Sequence, residues 1–287
     1  MNWFIASIAS VGALALAELT QQHILNSKNE IDERVSGVLT FFFQSVLTLP
    51  IIYFLGLQGR FFELFHGSVT LNLFAVTLVG TAGTFFYLKS FRVENISYSS
   101  IFVSLSAIVS TTLGIIFFNE GVSLIKFIGI GLVLISVISL NISNGAIEKN
   151  HLYGLLAGTC FGIMYTLDKS IVTRTHPVLY IFWAFFLVSL LGFFLNAKNT
   201  IATVKTLKLN DFLPVFVSGF GYLIYNFCTF IAYNLGGEVG KIDAINNSQI
   251  FLIILVEFFI FKQKEGIKRK LITAVIAFTG VAILGYL

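Results

Sequence analysis

The chain has 287 residues, of which 56% are hydrophobic and only 11% charged, with a mean hydropathy of +0.90 and a formal net charge of +4. A soluble domain carries about 25% charged residues, so this composition excludes an ordinary soluble enzyme or binding domain. The bases are scattered among short loops and form no stripe, which excludes a nucleic-acid footprint and reads instead as membrane topology.

Ten hydrophobic segments follow in chain order, each near the ~20 residues that a bilayer crossing needs. They run about 3–25, 36–57, 70–90, 97–118, 123–142, 151–171, 178–196, 212–234, 241–261 and 268–286. The stretches at 26–34, 56–67, 144–150, 198–211 and 262–270 carry the polar and glycine punctuation expected of loops. No segment alternates with period two, so a β-barrel is excluded. Ala15-Leu16-Ala17 has the look of a signal-peptide cleavage site, but Met1-Asn2-Trp3 carries no Lys or Arg. The first segment is therefore expected to remain as a helix. The expected fold is an all-α integral membrane protein of the plasma (inner) membrane.

The segments fall into two halves of five. The fourth ends Ile115-Ile116-Phe117-Phe118-Asn119-Glu120-Gly121 and the ninth ends Ile260-Phe261-Lys262-Gln263-Lys264-Glu265-Gly266. Each is followed by a Gly-containing apolar segment, with Gly129 and Gly131 in one and Gly280 in the other, which predicts close helix packing there. An odd number of helices per half inserts the halves in opposite orientation. The prediction is ten transmembrane helices as two inverted five-helix repeats, 1–145 and 146–287.

This layout and these motifs resemble the EamA-type branch of the drug/metabolite transporter superfamily. The resemblance implies ten helices, an acidic and a small residue closing helices four and nine, and amino acids, related metabolites or organic cations as substrates. One departure stands out. The family's apolar-Ser-Pro-apolar pattern in helices four and nine reads here as Leu105-Ser106-Ala107 and Asn247-Ser248-Gln249, without proline. No proline-assisted break is expected in either helix.

The first candidate site residue is Glu18, well inside the first apolar run. A charge at that depth costs at least ~2.5 kcal/mol on insertion scales and usually faces a bundle interior or a wet cavity. Gln21 and Gln22 lie three and four positions on, hence on the same helix face. Low dielectric disfavours the bare carboxylate, so a proton or a cation competes for it. Ala17-Glu18 also resembles the first helix of the small multidrug resistance proteins, where a glutamate exchanges protons for cationic drugs. Helix six repeats the spacing with Tyr165, Asp168 and Lys169, the lysine being equally well read as snorkelling to the interface.

Helix nine carries Lys241, Asp243, Asn246, Asn247, Ser248 and Gln249, with Asp243, Asn246 and Asn247 on one face as candidate cavity lining. Tyr222, Tyr225, Asn226, Thr229 and Tyr233 share helical spacing in helix eight, and Tyr225 and Asn226 are the mid-helix members. Trp183 is a weaker candidate of the same kind. Ser97, Ser100, Ser104 and Thr111 in helix four are read as packing, because a hydroxyl can satisfy its own helix backbone. Glu257 reads as an interfacial or paired charge rather than a coupling site. Cys160 and Cys228 sit in apolar runs, and the four histidines show no metal-ligand spacing.

The expected function is gradient-driven transport of a small polar or charged metabolite by alternating access, with Glu18 as the coupling carboxylate. Substrate, protons and the bilayer are the expected partners, with no cofactor, metal or nucleic acid. A passive channel and an intramembrane enzyme are the alternatives; no nucleophile elbow, phosphate loop or HExxH sequence supports the latter. The odd-numbered loops hold most of the Lys and Arg, which places them in the cytoplasm and both termini outside. The family resemblance implies cytoplasmic termini instead.

Overall fold

The computed structural model describes residues 2–25, 31–90, 103–139, 149–260 and 267–285. Within them the chain consists of helices joined by turns, without strands. Helix α1 spans Trp3–Leu25, α2 Glu33–Phe54, α3 Gly67–Ser90, α4 Ser106–Phe118, α5 Leu124–Ser139 and α6 Lys149–Val172. Helix α7 spans Pro177–Leu195, α8 Ala197–Thr206, α9 Leu209–Asn234, α10 Val239–Asn246, α11 Gln249–Phe259 and α12 Ile267–Gly285. Seven described stretches are long and apolar enough to cross a bilayer: α1, α2, α3, α6, α7, α9 and the α10–α11 pair, while α4, α5 and α12 give shorter apolar helices. Ser97, Ser100, the 144–148 join, the Glu265-Gly266 motif and the Glu257 side chain lie outside the described residues.

The elements start and stop for local reasons. His176 caps α7 by accepting the Val178 N–H on Nδ1 at 3.3 Å, and Pro177 follows at the first helical position, where its missing N–H costs nothing. Helix α4 ends at Asn119, which adopts φ 52° in the left-handed region open to Asn, and the Glu120 N–H turns back to the Gly114 carbonyl at 3.3 Å. That reversal aims the Glu120 side chain back into the bundle. Gly129 and Gly280 bring α5 and α12 together as expected: a Cβ on Gly280 would lie 2.8 Å from the Gly129 carbonyl oxygen. Gly131 has nothing within 4 Å and does not share that contact.

Two expectations need correcting. The stretch 198–211, read as a loop, is largely helical, with α8 lying between α7 and α9. Its polar composition hid a short helix whose Ile201 and Val204 are exposed, as suits an element lying along a membrane surface rather than through it. The ninth segment, read as one continuous helix, is interrupted at Asn247 and Ser248. The Ser248 N–H bonds to Ile245 at 2.9 Å and Phe251 to Ser248 at 3.0 Å, both with three-residue spacing. A tight turn of that kind re-satisfies the backbone without proline and commonly marks a hinge or functional site. At the start of α4, Ala107 bonds to Ser104 and Ile108 to Leu105 in the same manner.

Large apolar side chains such as Phe54, Leu71, Leu78, Phe117, Leu124, Phe194 and Val275 are exposed on the outside of the bundle, where lipid rather than water would meet them. Inside, α1 packs on α9, α3 on α6, α2 on α7 and α5 on α12; α4 packs on α6 and α10. Every residue from Val239 to Phe251 is buried, charged ones included. Helix α10 and the turn after it are therefore the axis of the molecule.

Candidate functional site

Around that turn lies a cavity walled by α1, α2, α3, α6, α7 and α9. The empty space between its side chains, counting the open mouth, is about 780 Å³. Glu18, Gln21, Tyr165, Tyr225, Asn226, Asn246, Asn247 and Gln249, eight of the sequence candidates, line it. The other two do not. Gln22, one residue past Gln21, is outside the wall and partly exposed. Asp168 sits behind it, buried and accepting a hydrogen bond from the Tyr180 hydroxyl of α7. Gln22 follows Gln21 by about 100° around α1, which turns it off the cavity, whereas Asp168, three residues past Tyr165, is engaged by Tyr180 of α7.

Glu18 is 2% exposed. Its Oε1 accepts hydrogen bonds from the Tyr87 hydroxyl of α3 and from Gln249 Nε2 of α11, the latter at 3.0 Å. Glu18 Oε2 and Gln249 Oε1 make no hydrogen bond among the described residues. The break between α10 and α11 is what allows Gln249 to reach α1. Asp243 is the second carboxylate of the cavity. It accepts from Ser106 at 3.0 Å, Ser110 at 2.9 Å and Asn247 Nδ2 at 3.2 Å. Asn246 accepts from Ser10 of α1 at 2.5 Å, and Asn247 also bonds to the Asp243 carbonyl at 3.0 Å. The Tyr225 hydroxyl donates to that of Tyr165 at 3.3 Å, while Asn226 bonds back to Tyr222 O at 2.9 Å.

Gln21 has a structural share in this region. Its Nε2 donates to Ser36 of α2 at 2.5 Å, and its Oε1 accepts from Thr40 at 3.2 Å and Ser218 of α9 at 2.9 Å. It ties three helices beside the cavity. Trp183 is turned away: its Nε1 donates to the Phe61 carbonyl at 2.7 Å, inside a ring cluster with Phe61, Phe62 and Phe65. Sequence reasoning missed Tyr87, Ser106 and Ser110. Tyr87 stands in an apolar run and offers no spacing signal, and Ser106 and Ser110 lie among helix-four hydroxyls of which Ser104 and Thr111 are expected only to pack.

The two ends of the cavity differ. At the end where α2 begins and α3 and α7 finish, a cleft shares Gly37, Phe41, Thr84 and Val188 with the cavity and reaches Glu33, Arg34 and Asn196 at its rim. At the other end, where α1 begins, five charged side chains interlock. Lys169 Nζ meets Glu120 Oε1 at 2.8 Å, and Lys241 Nζ meets Glu238 Oε1 at 2.9 Å. Lys126, 1% exposed, bonds to Glu238 and lies 3.6 Å from Glu120. Glu120 also accepts the Val239 N–H at 2.7 Å, at the N-terminus of α10, where a negative charge is favoured. Burial pushes the Glu238 carboxyl up, but Lys126 and Lys241 more than offset it and hold it below its usual value. The cluster joins the α4–α5 connection, α5, α6 and α10. Lys169, open in sequence to a snorkelling role, belongs to it.

Comparison with known proteins agrees with this architecture. No curated protein matches the chain. Of 29 solved chains that match, one crystal structure superposes with a TM-score of 0.72 at 13% identity, covering 98% of this chain and 98% of the other. Likeness at that identity speaks for the fold alone. Residues 2–142 match the EamA-like transporter family. Over those residues the chain belongs to the EamA-like transporter family, within the drug/metabolite transporter superfamily, and it is a multi-pass integral membrane protein of a transporter rather than an enzyme family.

Proposed function

We propose that the protein is a secondary transporter that moves a small polar or charged metabolite, such as an amino acid or organic cation, by alternating access in the plasma membrane. The observation that carries this reading is a buried carboxylate, Glu18, with one oxygen lacking a hydrogen-bond donor among the described residues. It lies in a cavity lined by apolar, aromatic and polar side chains, with a cleft at one end and an interlocked charge cluster at the other. Such asymmetry is what one inward- or outward-facing state of an alternating-access carrier requires. A passive channel would need both ends open at once.

The ten-helix, two-repeat organisation, 1–145 and 146–287, belongs to the same proposal. Helices α1 to α5 would correspond to α6, α7, α9, the α10–α11 pair and α12. Exchanging the halves turns the α1–α9 contact into α6–α3, and the α4–α6 contact into one between α10–α11 and α1; all of these occur. The α2–α7 and α5–α12 contacts map onto themselves. Tight turns at Ser104 and Asn247 fall at matching places in the fourth and ninth segments, as in transporters with midplane sites between inverted repeats.

Glu18 is the proposed coupling group, with protons as the coupling ion and Tyr165, Tyr225, Asn226, Asn246, Asn247 and Gln249 as cavity contacts. The polar groups that face it come from α3 (Tyr87), α9 (Tyr222) and α11 (Gln249). The test is solute flux into liposomes carrying the purified protein under an imposed pH gradient. Flux should be saturable, show counterflow and respond to the gradient, and Glu18→Gln should abolish that response. If Glu18→Gln transports with unchanged pH dependence, the coupling role is refuted.

A further inference from the structure

The charged lining of the cavity is acidic throughout. Glu18 and Asp243 both face it, and among the described lining residues there is no Lys, Arg or His. The lysines that approach the site are engaged elsewhere: Lys126, Lys169 and Lys241 are bound to Glu120 and Glu238 at one end. At the other end Arg34 lies over the Phe85 ring at 4.8 Å, on the outer cleft. No described ion pair includes Glu18 or Asp243. Asp243 is held by two hydroxyls and an amide, all neutral donors.

The unfilled hydrogen-bonding capacity has one sign as well. Glu18 Oε2 and Gln249 Oε1 are both acceptors, on side chains 2% and 4% exposed that are joined by the hydrogen bond from Gln249 Nε2 to Glu18 Oε1. A ligand that completes this pair must bring N–H or O–H donors or a positive charge. Tyr165, Tyr222, Tyr225, Phe41 and Phe161 line the same cavity, and aromatic rings favour a cation over an anion.

The two carboxylates sit at different depths. Ser10 of α1 touches Asn246, one turn beyond Asp243. Glu18 lies eight residues further along α1, a rise of about 12 Å. A cation entering from the cleft therefore meets Glu18 first and Asp243 deeper, toward the charge cluster.

We propose that the cavity selects a small organic ammonium ion without a carboxylate of its own, and that Asp243 is a second anionic station of the binding site beside Glu18. A zwitterionic amino acid would bring a carboxylate into a site with two of them and no base to receive it. A free carboxylate or a phosphate ester would fare worse. The proposal rests on the transport reading only for its setting, since charge selectivity of binding holds whether or not the bound molecule is carried across.

Three probes share one ring and differ in charge: 2-phenylethylamine, L-phenylalanine and 3-phenylpropionate. Binding to the purified full-length protein is read as the shift in Tm with ligand concentration, and flux is measured separately in liposomes. The amine should stabilise the protein, with the zwitterion and the anion weaker by about tenfold or more. Butylamine should also bind, the ring adding affinity but not deciding sign. Asp243→Asn should weaken amine binding by about tenfold or more while leaving the ring preference. Equal or tighter binding of phenylalanine or phenylpropionate overturns the proposal, as does the absence of binding by either amine at millimolar concentration. Should Asp243→Asn fail to fold, the charge series on the unmodified protein decides alone. Amine binding without flux of any probe would refute the transport reading and leave the charge selectivity standing; saturable flux of phenylalanine in preference to the amine would do the reverse.

Discussion

Glu120→Gln is the most informative perturbation of the end cluster, because one carboxylate there serves Lys169, Lys126 and the first N–H of α10 at once. Removing one partner of a buried ion pair costs about 3–5 kcal/mol, since the remaining charge stays buried without compensation. The low end applies here. Lys169 is 12% exposed and keeps the Gly237 carbonyl at 3.0 Å, and a glutamine oxygen can still accept the Val239 N–H. A loss of about 3 kcal/mol confined to the closed arrangement of this end would raise its open population by on the order of 100-fold. The readout is Leu14→Cys in a chain with Cys160 and Cys228 replaced by alanine. Leu14 lines the cavity, so a membrane-impermeant maleimide supplied from the cluster end should label it faster in Glu120→Gln. Lys169→Gln should act in the same direction. The double variant, which removes a positive and a negative charge together, should fall below the sum of the singles. Unchanged labelling in both single variants would refute the idea that this cluster holds the end closed.

Two other predictions concern stability. Burial and the Arg60 guanidinium hold the His176 imidazole below its usual range, with Glu63 partly opposing them. The fold thus favours the neutral ring, whose Nδ1 caps α7. That contribution is present above the unfolded value near ~6.5 and is lost as pH falls through the lowered folded value. The Tm of the unmodified protein should therefore drop more between neutral and mildly acidic pH than that of His176→Asn, whose cap does not titrate; parallel curves would disprove the account. Gly280→Ala should destabilise by about 1–3 kcal/mol, because the new methyl meets the Gly129 carbonyl oxygen at 2.8 Å, which is backbone, as well as the Val133 and Leu132 side chains. Gly131→Ala, with open space around it, should be neutral or slightly stabilising in the same thermal assay.

Much of this protein is legible in its sequence. Low charge and long apolar runs dictate helices in a bilayer, since only helices and closed barrels satisfy the backbone there. The cost of burying a carboxylate singles out Glu18, and the amides of the ninth segment announce a polar interior. The fourth-segment motif located Glu120 at a helix end, and the Gly129–Gly280 contact followed from small residues in matched segments. What the pattern left open is which polar groups meet. Helical spacing relates residues within one helix, whereas Tyr87 reaches Glu18, and Ser106 and Ser110 reach Asp243, across helices far apart in the chain. Gln21 and Gln249 looked alike as buried amides. Packing ties Gln21 to Ser36, Thr40 and Ser218, and the break at Asn247 frees Gln249 to complete the Glu18 site. That break carries no proline, so only the tertiary arrangement decides it: the Ser248 N–H turns to a three-residue bond with Ile245, while Asp243, Asn247 and the hydroxyls of α4 bond to one another and hold the turn in place.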